Sequence, residues 1–161
     1  MAVVLYRIDN RLVHAQVLEG WLPAVKANML AVVNDDFVKD EIRMRIAERA
    51  VADHMRVAFW TLDQSPMEAA RLDQDESLRA VLVFASPNDV LEFIRLGARP
   101  PAEVNIGGMH YAISRLSLGR YRTFSDQDRE ALARLLELGV RLDARATPTD
   151  EPVDLMSVIK S

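Results

Sequence analysis

The run Ala80-Val81-Leu82-Val83-Phe84 has no polar position in five residues. A stretch that short and wholly apolar reads as a strand covered on both faces. Met29-Leu30-Ala31-Val32-Val33 has the same character. Strands buried on both faces belong to sheets with helices above and below them, joined by crossovers. The segments between them carry helical spacing. Val38, Ile42, Ile46 and Ala50 recur every four residues, which predicts a helix with one buried stripe. Val17, Leu18, Trp21 and Leu22 share one face of an earlier helix, which Pro23 is expected to end or kink.

The rest of the chain continues the alternation. Val3-Val4-Leu5 and Met55 to Trp60 read as strands. Ser65-Pro66-Met67-Glu68 is expected to open a helix, with Ser65 as N-cap, Pro66 at the first position and Glu68 completing a capping box. Ser86-Pro87-Asn88-Asp89 repeats the Ser-Pro opening, with Val90, Leu91 and Ile94 inward and Gly97 past the end. Pro100-Pro101 marks a loop, and Glu103 to Ile106 a short strand stopped by Gly107-Gly108. Another short strand is expected over 119–124. Ser125-Asp126-Gln127-Asp128 caps a helix with Leu132, Leu135 and Leu136 on one side and Gly139 at its end. Val140-Arg141-Leu142-Asp143-Ala144 alternates, which suggests an antiparallel edge strand. Pro152 to Ile159 suggests a last short helix. The expected fold is therefore α/β: one open, mostly parallel twisted sheet with helices on both faces. No linker, repeat or low-complexity segment divides it, so residues 1–161 are expected to form a single domain.

Composition narrows the function. The chain of 161 residues is half apolar, which excludes disorder. A net charge of −4 offers no basic footprint for nucleic acid. Without cysteine there is no disulfide framework or thiolate metal site. No signal peptide or bilayer-length apolar run is visible, so a cytoplasmic protein is expected. The G-x-G-x-x-G and Walker patterns are absent, and no cofactor is expected. Asp35-Asp36 could serve as a metal-binding pair, but a turn plus an N-cap explains them more simply, and no metal is expected.

The densest chemistry lies in Tyr6-Arg7-Ile8-Asp9-Asn10-Arg11-Leu12-Val13-His14-Ala15-Gln16-Val17. Asp9 to His14 is a strand-to-helix turn, at the carboxyl edge where open α/β sheets bind ligands. His14 would stand near the first turn of a helix, whose unpaired N–H groups favour an anion. Arg11 would bring a planar cationic fork to the same anion. Asp9 either caps the turn or orients Arg11 and the His14 imidazole; residue types alone leave both open. Ser86 caps a helix whose start can also serve an anion. Gly107 and Gly108 end a strand and permit close backbone approach. His54 reads as a loop or helix-end residue, and His110 as a rim residue or a bystander.

Arg7-Ile8-Asp9-Asn10-Arg11-Leu12-Val13-His14-Ala15-Gln16-Val17 resembles the active-site signature R-I-D-x-R-L-[IV]-H-G-Q-V. That is the signature of the enzyme IIB component of the mannose family of the bacterial sugar phosphotransferase system. The likeness continues at Val32-Val33-Asn34-Asp35-Asp36, Ser86-Pro87-Asn88-Asp89, Val104-Asn105-Ile106-Gly107-Gly108-Met109 and Val153-Asp154-Leu155. The one departure in the signature is Ala15, where the family usually has Gly. The resemblance implies the same fold class. It implies His14 as the phosphoryl acceptor, with Arg11 and Asp9 as its catalytic neighbours. Asn10, Gln16, Ser86, Gly107 and Gly108 are the expected substrate-binding set. It also implies partners: a phosphorylated IIA protein or domain as donor, a membrane IIC–IID complex, and a sugar as final acceptor. The IIB protein would then visit the inner face of the membrane, and family habit leaves a homodimer open.

A neutral imidazole nitrogen is nucleophilic near neutral pH. Phosphoryl transfer between histidines is mostly positioning and compensating charge. Two alternatives stay open. One is a regulatory module using the same His14 relay without a transported sugar. The other is a receiver-like aspartyl-phosphate switch at Asp35-Asp36, although the acid pair such a switch needs after the first strand is missing from Ile8-Asp9-Asn10-Arg11.

Overall fold

The computed structural model describes residues 1–107, 125–152 and 155. Its strands are β1 Val3–Ile8, β2 Met29–Val33, β3 Arg56–Trp60, β4 Ala80–Phe84, β5 Glu103–Ile106 and β6 Arg141–Asp143. They form one sheet in the order β3-β2-β4-β1-β5-β6, and every neighbouring pair is parallel. The two apolar runs are the central β2 and β4, buried at every residue.

Helices cover both faces. A π-helix, Gln16–Trp21, runs into the single turn α1, Leu22–Ala24. These two pack with α2, Glu41–Ala50, over Leu30, Val32, Val81 and Val83. The helices α3 Ser65–Leu72, α4 Pro87–Arg95 and α5 Asp126–Glu137 cover Ala31, Val33, Leu82 and Phe84 on the other face. From β1 the chain leaves toward β2, and from β5 it leaves the opposite way toward β6. The crevice between β1 and β5 is therefore the topological switch point, where open sheets bind ligands beyond their carboxyl ends.

The expected antiparallel edge strand is corrected. β6 does lie at the edge, but it runs parallel to β5. Helix α5 lies between the two strands in sequence, and a helical crossover returns the chain in the same direction. The alternation that suggested an antiparallel strand reflects only the edge position, with Arg141 outward and Leu142 inward.

Three helix details also differ. The predicted stripe on α2 faces water: Ile42 is 72% and Ile46 62% exposed, while Ala47 is buried. Only Val38 lies outside the helix, in a 3-10 turn that the extended Asp40 (φ −105°, ψ 91°) separates from α2; Ile42, Ile46 and Ala50 do share a face of α2, but the face carrying Ala47 is the one turned to the core. Ser65 is not the cap of α3 but its first residue, donating its hydroxyl to Leu62 C=O at 2.8 Å. The reciprocal bonds lie between Thr61 and Gln64, at 3.2 and 3.3 Å, and Glu68 pairs with Arg71 instead. Pro23 sits inside α1, just after the π-turn, and the helical run ends one residue later at Ala24, so the expected end falls just past Pro23 and not at it. A proline cannot donate to the carbonyl four residues back and crowds it in a regular helix. The strand expected over 119–124 and nearly all of the helix expected over Pro152–Ile159 lie outside the described residues.

Candidate active site

The loop after β1 is folded tightly. Asp9 N–H donates to Phe84 C=O at 2.8 Å, and Leu12 N–H donates back to Asp9 C=O at 2.9 Å. Leu12 has φ 57°, unusual for a branched residue, and only 2% of it is exposed. Its burial in the core holds the left-handed turn. His14 follows, and its carbonyl accepts the Val17 and Leu18 N–H groups at 3.0 Å. The compensating charges beside His14 include the side chains of Arg7 and Arg11.

Asp9 is fully buried at the centre. Its Oδ2 lies 2.8 Å from His14 Nε2, 3.0 Å from Arg7 Nη2 and 3.3 Å from Arg11 Nη2. Its Oδ1 accepts Arg11 N–H at 3.1 Å and Arg11 Nε–H at 3.2 Å. Asp9 thus both closes the turn and touches His14. Burial alone would raise its pKa. The hydrogen bonds from His14 and Arg11, with the charge of Arg7, outweigh that and hold the carboxyl well below the usual carboxylate range. An ionised carboxylate only accepts, so His14 Nε2 must carry the proton. In the neutral ring the other nitrogen, Nδ1, holds the lone pair, and it has no hydrogen-bond partner among the described residues.

Arg7 is also fully buried. Its Nη1 donates to Asn105 Oδ1, and its Nη2 to Gln16 Oε1 at 2.5 Å as well as to Asp9. Asn105 Nδ2 donates onward to Asp143 Oδ2 at 3.0 Å and to Arg145 C=O at 2.9 Å. Arg7, Asn105 and Asp143 are in register on β1, β5 and β6, so they form one polar row across three strands. Gly107 lies against this row. A Cβ there would fall on the Arg7 guanidinium and 2.5 Å from Asp9 Oδ2.

The structure therefore brings together Asp9, Arg11, His14, Gln16 and Gly107 from the residues expected at the site. Gln16 is occupied, its Oε1 accepting from both Arg7 and Arg11 (3.2 Å). Asn10 does not join the cluster, and its buried Oδ1 has no partner among the described residues. Ser86 caps α4, accepting Asp89 N–H at 3.2 Å, and forms no bond to the Asp9 cluster among the described residues. Burial pushes the Asp89 carboxyl up, against the bond from Ser86, and the nearby Asp35 charge adds to the rise. Asp35 accepts Leu62 N–H at 2.9 Å, a structural tie. His54 is exposed just before β3, at the opposite edge of the sheet. Gly108 and His110 lie outside the described residues. Sequence reasoning gave no role to Arg7, Asn105, Asp143, Arg145 or Trp21. One available signal was a polar residue at or next to the last position of a strand, as at Arg7, Asn105 and Asp143.

An all-parallel open sheet with a carboxylate-oriented histidine at its switch point is a doubly wound α/β protein with a built reactive edge. The sequence pattern of the family described as "PTS system sorbose subfamily IIB component" matches residues 3–161. The chain belongs to that family, and so to the mannose-type IIB components of sugar phosphotransferase systems. It is 31% identical over 159 residues to the sorbose-specific EIIB component of Klebsiella pneumoniae, covering 99% of this chain and 96% of the relative. It is 29% identical to the fructose-specific EIIB component of Bacillus subtilis (strain 168), over all of this chain and 98% of the relative. The crystal structure of the IIBSor domain of the Klebsiella pneumoniae sorbose permease matches with a TM-score of 0.86 and 31% identity, over 99% of this chain and 97% of the other.

Proposed function

We propose that the chain is a cytoplasmic phosphocarrier over residues 1–161, taking a phosphoryl group from a phosphorylated IIA partner onto His14 Nδ1. It then passes the group to a sugar entering through a IIC–IID membrane complex. The observation that carries the reading is the 2.8 Å contact of His14 Nε2 with the buried Asp9 carboxylate. That contact favours the Nε2–H tautomer of the neutral ring, which leaves the Nδ1 lone pair to act as the nucleophile. Among the described residues no helix is long and apolar enough to cross a membrane, which suits a component that docks on a membrane partner.

In the first step the donor's N–P bond breaks as the Nδ1–P bond forms. The donor imidazole regains its lone pair. The phosphorylated ring of His14, still protonated at Nε2, carries a positive charge that Asp9 offsets. Arg11, 39% exposed, reaches Asp9 through Nε and Nη2, and its Nη1 has no bond among the described residues. It is the group that can turn to the equatorial oxygens as charge develops there. Arg7, held on all sides, keeps Asp9 ionised. In the second step the N–P bond breaks, a sugar hydroxyl oxygen takes the phosphoryl group, and its proton leaves to solvent or to a base beside the sugar.

Purified, preloaded phospho-IIA should label the wild-type chain, and the label should move to sugar when vesicles carrying IIC and IID are added. His14→Gln should fold with an unchanged spectrum yet accept no label. Labelling that survives in His14→Gln contradicts the reading.

A further inference from the structure

We propose that Trp21 is a positioning residue for the phosphoryl relay, holding the Arg7 guanidinium and through it Asp9 and His14. The inference rests on the relay reading above but adds a residue to which that reading gives no part. Trp21 is 3% exposed, and its ring centroid lies 5.4 Å from Arg7 Cζ. A guanidinium over an indole face is held both by the ring quadrupole and by contact area. Gln16 Oε1 meets the same guanidinium at its edge. Gln16 and Trp21 are five residues apart. In a regular α-helix that spacing places side chains roughly 140° apart around the axis, too far to share one small target. Here the helix from Gln16 to Trp21 is a π-helix, with Leu22 N–H bonded to Val17 C=O five residues back. The wider turn brings positions 16 and 21 toward a common face.

The far edge of the indole is fixed as well. Its Nε1–H donates to Ala146 C=O at 2.9 Å, and Arg145 Cζ lies 5.6 Å from the ring. Arg145 is in turn paired with Asp143, the end of the polar row. The indole thus ties the helix that follows His14 to the loop that follows β6. With the ring in place, Arg7 Nη1 faces Asn105 while Nη2 faces Asp9 and Gln16. Without it the guanidinium can turn, Asp9 loses a fixed donor, and the proton on His14 Nε2 is less firmly placed.

The test uses the full chain with preloaded phospho-IIA and rapid quenching. Trp21→Leu, which keeps an apolar side chain but no ring face, should slow transfer about tenfold while remaining cooperatively folded. Trp21→Phe, which restores a ring face, should recover most of the rate. The 15N signals of the His14 imidazole should report the Nε2–H tautomer in wild type and shift toward a mixture in Trp21→Leu. Wild-type rate and unchanged imidazole signals in a folded Trp21→Leu overturn the proposal. The wild-type chain supplies a second measurement that needs no variant. Arg7 should show separate, ring-shifted Nη–H signals, and a single averaged, unshifted signal also overturns it. Wild type that accepts no phosphoryl group would instead sink the relay reading, leaving the Arg7 and His14 spectra to decide the positioning.

Discussion

Two guanidinium groups and an imidazole converge on one buried carboxylate at Asp9, yet they are not equivalent. Arg7 and Asp9 are wholly inside, whereas Arg11 is more than a third exposed. An ion pair that exposed contributes on the order of 0.2–1 kcal/mol to stability. A preorganised charge on a developing anion is worth about 2.7–4 kcal/mol of barrier, or 100- to 1000-fold in rate. Arg11→Ala should therefore melt within a few degrees of wild type and transfer the phosphoryl group at least 100-fold more slowly. A large melting shift with near-normal transfer would make Arg11 a structural residue. Asp9→Asn should slow transfer and also destabilise the fold at neutral pH, by about 3–5 kcal/mol, because it strands a buried guanidinium. The Asp9 pKa is depressed in the fold. Its stabilisation is therefore full above the unfolded value near 3.9 and is lost as pH falls through the folded value. The wild-type advantage over Asp9→Asn should narrow below about pH 4. An advantage unchanged between pH 7 and pH 2, measured by denaturant titration, would remove Asp9 from the ionised centre of the site.

At the scale of elements, what was legible is what local chemistry decides. Five apolar residues in a row at β4, the Ser86 cap and the helix start over Ser125–Asp128 were all readable. Each depends on residues within a few positions of one another. The α2 stripe failed because a period shows which residues share a face and not which face is buried. The cap of α3 failed because two overlapping signatures competed. Thr61-x-x-Gln64 won, leaving Ser65 to bond a carbonyl from inside the helix. Gly107 was legible as a strand stop, but its reason lies 98 residues away in Asp9 and 100 in Arg7. There is no space for a methyl at position 107, so Gly107→Ala should displace the Arg7–Asp9 pair. Overpacking of this kind costs about 1–3 kcal/mol. Transfer should suffer beyond that loss, and the His14 imidazole signals should shift. A Gly107→Ala protein with normal transfer and normal His14 signals would show that the pair tolerates displacement.

For the whole molecule, alternation of strands and helices was enough to reach an open α/β sheet, and the signature motif was enough to point to the family. The direction of β6 was not legible, because alternation reports which face is wet and not which way a strand runs. Nor was the row Arg7–Asn105–Asp143, whose members are distant in sequence and meet only through strand pairing and register. The proposed relay turns on one atom, His14 Nδ1, as the phosphoryl acceptor. The most direct test is 15N and 31P NMR of the intact, histidine-labelled chain after loading by phospho-IIA. The account predicts one phosphoramidate, on Nδ1 of His14, with the proton retained on Nε2. Phosphorus on Nε2, on His54 or His110, or on an aspartate as an acyl phosphate would contradict it.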